Sequence, residues 1–149
     1  MQIIIDNAAL QHKLDAAAAR LTDATPLMQR LSMSLLDDTE QNFAAQGRPR
    51  WAGLSPRYAA KRRGGMILQK SGQLAGSITA FHDATSAAVG SNKVYAAIHH
   101  FGGVAGRGHK SKIPSRPYLP VDKNGNLQAD AQANIEDVCD YYLSASFNP

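Results

Sequence analysis

The sequence predicts an α+β fold, with N-terminal helices that include one long helix, a small and mostly antiparallel sheet, and a C-terminal helix. Apolar residues recur at helical spacing in the first third of the chain and near its C-terminus. The middle is interrupted by glycine and proline and alternates only over short stretches. With 149 residues and no shift in composition, we expect one domain, residues 1–149.

The N-terminal third is predicted to hold a short strand and two helices. Residues 3–5 are three isoleucines, which favour a strand. A helix is expected over 7–21, with its apolar side formed by Leu10, Leu14, Ala17 or Ala18, and Leu21. Thr25 can cap a second helix with Pro26 in its first turn, and this helix is expected over 26–45, roughly 30 Å long. Its predicted apolar stripe consists of Leu27, Met28, Leu31, Leu35, Leu36, Thr39 and Phe43.

Shorter elements are predicted after residue 47. Ser55 and Pro56 have the types of a cap and a first-turn residue, so a short helix is expected over 57–63. A helical turn follows over 71–74, and strands over 77–82 and 86–90 are predicted to form a β-hairpin.

The last predicted elements are two helices separated by a loop. Val94, Ala97, Ile98 and Phe101 are spaced as in a helix over 94–101. Residues 102–115 are rich in glycine, lysine, arginine and histidine, so we expect a flexible loop there. A final helix is expected over 127–143, with its apolar side formed by Ala131, Ile135, Val138 or Cys139, and Tyr142.

Charge is distributed unevenly along the chain. Residues 41–121 hold twelve of the 16 Lys and Arg residues but one of the 12 Asp and Glu residues, so this middle part is about +11 and the two ends together about −7. Three interpretations remain open: contact with nucleic acid, contact with the acidic ends of a neighbouring copy, or a solvated basic surface.

Few residues suggest catalysis or metal binding. The adjacent His99 and His100 point about 100° apart on a helix, without a cysteine or acid at ligand spacing. Cys139, the single cysteine, lies on the apolar side of a predicted helix. The glycine-rich segment 102–108 lacks the lysine and hydroxyl residue of a phosphate-binding loop. We therefore expect no enzyme activity, no cofactor and no metal, and the absence of a long apolar run predicts no membrane contact.

The basic residues between 57 and 70 include one tyrosine, Tyr58, and no alternation of basic and aromatic residues that would stack bases. They match no helix pattern that reads the major groove. Nonspecific contact with DNA therefore stays possible, whereas sequence-specific reading is not expected.

Three blocks of the chain, in order, resemble the phage virion morphogenesis (tail completion) family. They are GRPRWAGLSPRY at 47–58, ILQKSGQL at 67–74, and a third block made of VGS at 89–91, YAAIHHFGG at 95–103 and IPSRPYL at 113–119. Together they span about half of the chain. Each block alone is weakly specific, and the combination in this order is more specific.

The resemblance implies a structural role at the junction between phage tail and head, and no catalysis. Such proteins cap the tail tube and form a homo-oligomeric ring, often a hexamer, on which the head-side connector docks. The partners implied are further copies of the chain, the tail tube or terminator, and the connector. The location implied is the virion, after assembly in the bacterial host cytoplasm. The alternative is a small basic nucleic-acid-binding protein.

Two sets of residues are candidates for contacts. The aromatic residues are candidate anchors, either in the core or at a ring interface: Trp51, Tyr58, Phe101 and Tyr118. The basic residues are candidates for a DNA channel or for electrostatic contact with a partner: Arg62, Arg63, Lys110 and Lys112.

Overall fold

A computed structural model describes residues 8–147, with the side chains of residues 9, 10 and 146 excepted. Five helices and two small antiparallel sheets confirm the predicted α+β class. The strand predicted at 3–5 and the first residue of the predicted helix 7–21 lie outside the described residues.

Two helices form the N-terminal part, α1 (Ala8–Thr22) and α2 (Thr25–Ala45). Both are confirmed within a few residues, but Thr25 is not the cap. It is the first residue of α2, and its backbone N–H donates to the Asp23 carboxylate at 3.0 Å. The chain leaves α2 at Gln46, whose left-handed conformation lets the Gly47 N–H donate to the Asn42 carbonyl at 2.8 Å.

Gly47 is required by both its conformation and its surroundings. Its φ of +102° is one that other residues rarely adopt, and a Cβ there would lie 2.4 Å from Cδ1 of Trp51. The sharp turn therefore brings the Trp51 ring directly against the end of α2.

The middle of the chain holds two hairpins and two short helices. Helix α3 (Pro56–Arg62) begins at the predicted cap, where the Ser55 hydroxyl accepts from the Tyr58 N–H at 3.4 Å. The predicted hairpin is confirmed within a residue: β1 (Ile78–His82) pairs antiparallel with β2 (Ala87–Ser91). Within its turn the Asp83 carboxylate accepts from Thr85 and Ser86, and these hydrogen bonds lower its pKa to about 2.

Helix α4 (Ala96–Phe101) begins two residues later than predicted. Val94 precedes it in a turn and is almost fully exposed, so it does not belong to an apolar helix face. The spacing of apolar residues does not show this turn. In it, the Ala96 N–H donates to the Lys93 carbonyl before the helix starts.

Part of the segment expected to be a loop forms a second hairpin. Strand β3 (Gly103–Ala105) pairs antiparallel with β4 (Ser111–Ile113), and a turn of 3₁₀ helix, Arg107–His109, joins them. Strands of three residues are too short to produce a recognisable alternation, which explains the difference. The flexibility of residues 102–115 stays a prediction.

Helix α5 (Ala129–Phe147) closes the fold and packs against α1 and α2. Ala131 and Tyr142 are buried on the predicted apolar side. In α1 the prediction holds less well: Ala17 is buried, whereas Leu14 and Leu21 are largely exposed. The apolar side of α1 is therefore only partly covered.

The aromatic core joins the end of α2 to the middle of the chain. Phe43 packs edge-to-face on Trp51 with ring centroids 5.9 Å apart, and stacks on Tyr118 at 5.3 Å. Leu74 and Ala96 complete this buried cluster. Burying an aromatic side chain of this size stabilises the fold by about 2–3 kcal/mol.

Every residue of the apolar stripe predicted for α2 is buried or half-buried, but most of the fully buried positions on this helix are polar. Its leucines are half-buried, and the buried residues are Ser32, Asp38, Thr39, Asn42 and Phe43. The buried hydroxyls on the helix donate hydrogen bonds to carbonyls one turn earlier. The Thr39 hydroxyl, for example, donates to the Leu35 carbonyl at 2.8 Å. Asp38 and Asn42 instead have partners far away in sequence.

Arg48 connects these two residues. Its guanidinium donates to the Asp38 carboxylate at 3.0 Å and to the Asn42 side-chain oxygen at 2.9 Å, and it reaches Asp130 of α5 at 3.3 Å. The Asp38 side chain is fully buried and also accepts from Asn134 of α5 at 2.9 Å. The end of α2, the loop after it and α5 are therefore held by one polar network.

We expect the substitution Arg48→Met to lower the free energy of unfolding by about 3 kcal/mol, because it leaves the Asp38 carboxylate buried without its cation. Urea denaturation monitored by circular dichroism measures the change. The matched control is Arg50→Met, which removes an exposed arginine two residues away. Adding Asp38→Asn to Arg48→Met should recover part of the loss, and an equal loss in both arginine variants would contradict the role of the network.

Candidate functional site

A basic groove lies on the part of the fold formed by the middle of the chain. It has a volume of about 890 Å³ and lies between the 52–58 segment, residues 62–74, α4 and strand β4. Its charged lining residues are Arg62, Lys70, Lys112 and Arg116, and none of the residues lining it is an Asp or Glu. We call this surface the basic groove.

Arg116 is the most buried of these cations, with 7% of its surface exposed. Its guanidinium donates to the carbonyls of Ala52 and Gly53, both at 3.0 Å. Burial, and then the nearby charge of Arg62, lower its pKa from the ordinary value. Carbonyl dipoles orient this cation but do not neutralise it, so its charge is available to an anion in the groove.

Backbone contacts with α4 hold Arg116 in place. Its N–H donates to the His99 carbonyl at 3.0 Å, and the Ser115 hydroxyl donates to the His100 carbonyl at 2.7 Å. Gly102 allows this approach, because its φ is +77° and a Cβ there would lie 2.7 Å from the Ser115 nitrogen.

Aromatic rings and one histidine complete the walls of the groove. Tyr95 packs edge-to-face on His99, with ring centroids 5.9 Å apart. Burial, and then the charge of Arg116, lower the pKa of His99. This imidazole is therefore mostly neutral at physiological pH and adds little positive charge to the groove.

The four candidate anchors divide into two pairs. Trp51 and Tyr118 are buried, and each donates to a carbonyl: the indole N–H to Pro117 at 2.9 Å and the phenol to Ala96 at 3.1 Å. Both side chains therefore belong to the buried core of the chain. Tyr58 is 43% exposed and lines the groove, and Phe101 is 55% exposed beside the His100 ring. An interface role for this second pair stays a prediction.

The four candidate basic residues also divide into two pairs, according to whether they line the groove. Arg62 and Lys112 line the groove. The Arg62 side chain donates to the Met66 carbonyl, which folds it over the turn that follows α3. Arg63 and Lys110 are exposed residues outside the groove lining.

Sequence reasoning did not select Arg116 or Tyr95 as site residues. It considered Lys70 only among the basic residues between 57 and 70, and His99 only as a metal ligand. The available signal was the lack of acids near Arg116 and Lys70 in sequence. Arg116 lies in a proline-rich extended segment, where no helical or alternating pattern of apolar residues predicts which side chains are buried. The described part of the chain contains no group of three or more His, Cys, Asp or Glu side chains placed to hold a metal ion.

Comparison with known proteins relates the chain to phage assembly proteins. The sequence model of the phage virion morphogenesis family matches residues 5–144. The chain is 38% identical over 146 residues to the Mu-like prophage FluMu G protein 2 of Haemophilus influenzae, which covers 95% of this chain and 96% of that protein. It is 33% identical over 138 residues to the putative capsid assembly protein G of Escherichia phage Mu, covering 86% and 88% respectively. No solved structure matches the chain.

The stability of the fold around the groove should depend on pH through His100, which is 1% exposed and packs against the rings of Phe101 and Tyr118. Burial lowers its pKa, and Asp122 opposes part of this shift. The unfolded chain therefore takes up this proton at a higher pH than the folded chain. The resulting stability is complete above about pH 6.5 and is lost as the pH falls through the lowered folded pKa.

Thermal unfolding measured between about pH 7.5 and pH 5.5 tests this expectation. The variant His100→Phe keeps a ring in place but cannot be protonated, so its midpoint should change less with pH than that of the unmodified chain. His82→Gln, at an exposed position, is the control and should keep the original dependence. An unchanged pH dependence in His100→Phe would contradict the assignment.

Proposed function

Since this chain belongs to the phage virion morphogenesis family, we propose that it is a tail completion protein that joins the phage tail to the head as a subunit of a homo-oligomeric ring. Family membership itself establishes the coarser role, a part in the assembly of a phage particle. The position at the neck and the ring are our proposal.

The observation that supports the ring most directly is the separation of charge in the fold. Helices α2 and α5 pack together and contain seven of the 12 acidic residues. The basic groove is lined entirely by residues from other parts of the chain. A closed ring needs two different, complementary surfaces on each subunit, and opposite charge on separate surfaces supplies that complementarity.

In this role the partners are further copies of the chain, the tail tube or terminator on one side, and the head-side connector on the other. The protein assembles in the host cytoplasm and ends at the head–tail junction of the virion. Catalysis has no part in this proposal. No helix within residues 8–147 is long and apolar enough to cross a membrane.

A second candidate function is nonspecific binding of nucleic acid, and the β3–β4 hairpin favours it. Arg107, Lys110 and Lys112 lie on this exposed hairpin without an acidic neighbour in sequence. Arg63 is exposed as well, so a basic surface extends beyond the groove. Affinity of the isolated chain for DNA that falls steeply with salt would favour this function. In a ring, Arg63, Arg107 and Lys110 would face DNA in the channel, whereas Lys112 lines the groove.

In lysates of a phage that lacks this gene, we expect separate heads and tails to accumulate, because the protein proposed to join them is missing. Negative-stain electron microscopy of such lysates measures the fraction of joined particles. Adding the purified chain to the defective lysate should restore joining and infectivity.

The charge-reversed variant Arg63→Glu with Lys110→Glu serves as a comparison in the same assay. If it joins heads and tails as well as the unmodified chain, these two residues do not contact DNA in a channel. If heads and tails join normally without the gene, the tail completion role is wrong, and nucleic-acid binding becomes the leading function.

A further inference from the structure

The basic groove contains a cation that lacks a counter-ion. Arg116 is more than nine-tenths buried, and no carboxylate lines the groove around it. In the described residues the two ion pairs are both made by Arg48, which does not line the groove. Keeping a guanidinium buried without an anion costs free energy, and an incoming carboxylate would remove this cost.

The shape and floor of the groove suit a protein segment better than duplex DNA. Its floor and walls include the apolar side chains of Leu54, Leu68, Leu74 and Ile113. Duplex DNA presents mainly phosphates and sugars outside its grooves, and these cover apolar side chains poorly. The ligand that fits combines carboxylates with apolar side chains, and a volume of about 890 Å³ accommodates several of them.

Helix α5 presents this combination on its outer side. Glu136, Asp140, Leu143 and Phe147 follow one another at spacings of four, three and four residues, so they form one stripe along the helix. All four are exposed, with Leu143 at 39% and Phe147 at 44%. We call this surface the acidic stripe. The Glu136 carboxylate accepts from Gln132 at 3.0 Å on the same helix, and both carboxylates remain open to solvent.

We propose that the acidic stripe of one copy docks into the basic groove of a second copy. Asp140 and Glu136 would neutralise the cations of the groove, including Arg116, while Leu143 and Phe147 would cover its apolar floor. This is the recognition of an amphipathic helix by a groove, with charge added at the rim. The proposal rests on the ring proposed above and names the two surfaces that form it.

The two surfaces do not overlap within a chain, since none of the residues lining the groove belongs to α5. The acidic stripe of each copy can therefore dock into one neighbour while its basic groove binds the stripe of another. Such a head-to-tail contact repeats around an axis and forms a closed ring when the rotation permits. The contact also ties the C-terminal helix of each subunit to the middle of the next.

Zero-length cross-linking of the purified full chain tests the contact, because carbodiimide joins a lysine amine directly to a carboxylate. A mixture of ordinary and nitrogen-15-labelled chains distinguishes links between copies from links within one copy. We expect mass spectrometry to find mixed-label links from Lys70 or Lys112 to Glu136 or Asp140. Sedimentation velocity over a range of concentrations and salt should show association that weakens as salt increases.

Two charge-reversed variants and their combination give the sharper test. Lys112→Glu in the groove and Asp140→Lys in the stripe should each weaken association about tenfold or more, and the double variant should recover much of it. Lys110→Glu is the control on the same hairpin, since Lys110 is outside the groove lining. Asp15→Lys is the control for an exposed acid on α1. Both controls should associate normally.

Each outcome has a defined meaning. Absence of mixed-label links, with sedimentation as a monomer at every concentration and salt, overturns the proposal, as does equal weakening by the control variants. Loss of DNA affinity in Lys112→Glu without an effect on self-association assigns the groove to nucleic acid and also overturns it. Add-back to a defective lysate separates the two proposals. If the chain restores joining without this contact, only the interface is wrong, and if it associates without restoring joining, only the tail completion role is wrong.

Discussion

The arrangement of the molecule depends on the guanidinium of Arg48 and the two buried side chains that it bonds. Through Asp38 and Asn42 it fixes the C-terminal end of α2, and the Asn42 amide in turn donates to the carbonyl of Tyr118 at 3.2 Å and to the Gln128 side chain at 2.9 Å. A single network thus relates the long helix, the loop after it, the extended segment near residue 118 and the start of α5. Asp38 and Asn42 are fully buried, so the loss of one partner leaves the other groups of the network without compensation for their burial.

This network also positions the two chain segments that form much of the basic groove. The loop after α2 carries Trp51 and the carbonyls of Ala52 and Gly53, and the extended segment carries Arg116 and the Pro117 carbonyl. These two stretches hydrogen-bond to each other in both directions, so they behave as one unit placed against the aromatic core. Arg116 is therefore fixed by hydrogen bonds within the site, whereas Lys70 and Lys112 at its rim are exposed.

Local pattern was enough to predict the helices and the first hairpin, but it did not reveal the polar interior or the full site. Spacing placed α2 within a residue, yet assigned its buried side to leucines, because periodicity does not show that Asp38 has a partner 96 residues away in Asn134. Charge alone selected Arg62 and Lys112 as candidates for contacts, and the fold places both in the lining of one groove. It could not select Arg116, whose burial depends on carbonyls 63 and 64 residues away. Packing in the folded chain places Trp51 and Tyr118 in the core, and it leaves Tyr58 and Phe101 exposed.

The charge distribution has a different physical meaning in the folded chain than in the sequence. A surplus of basic residues in the middle of a sequence is compatible with an ordinary solvated surface, where each charge keeps its water. The fold removes that option at Arg116 by burying it, and it leaves a stripe of carboxylates and apolar side chains uncovered on α5. A protein selected to be most stable alone would have paired these surfaces internally or replaced Arg116 with an apolar residue. Their location on different elements of one chain is the arrangement expected if another copy supplies the neutralising charge, as proposed above. Under that proposal, stability given up in the single chain would contribute to the free energy of association.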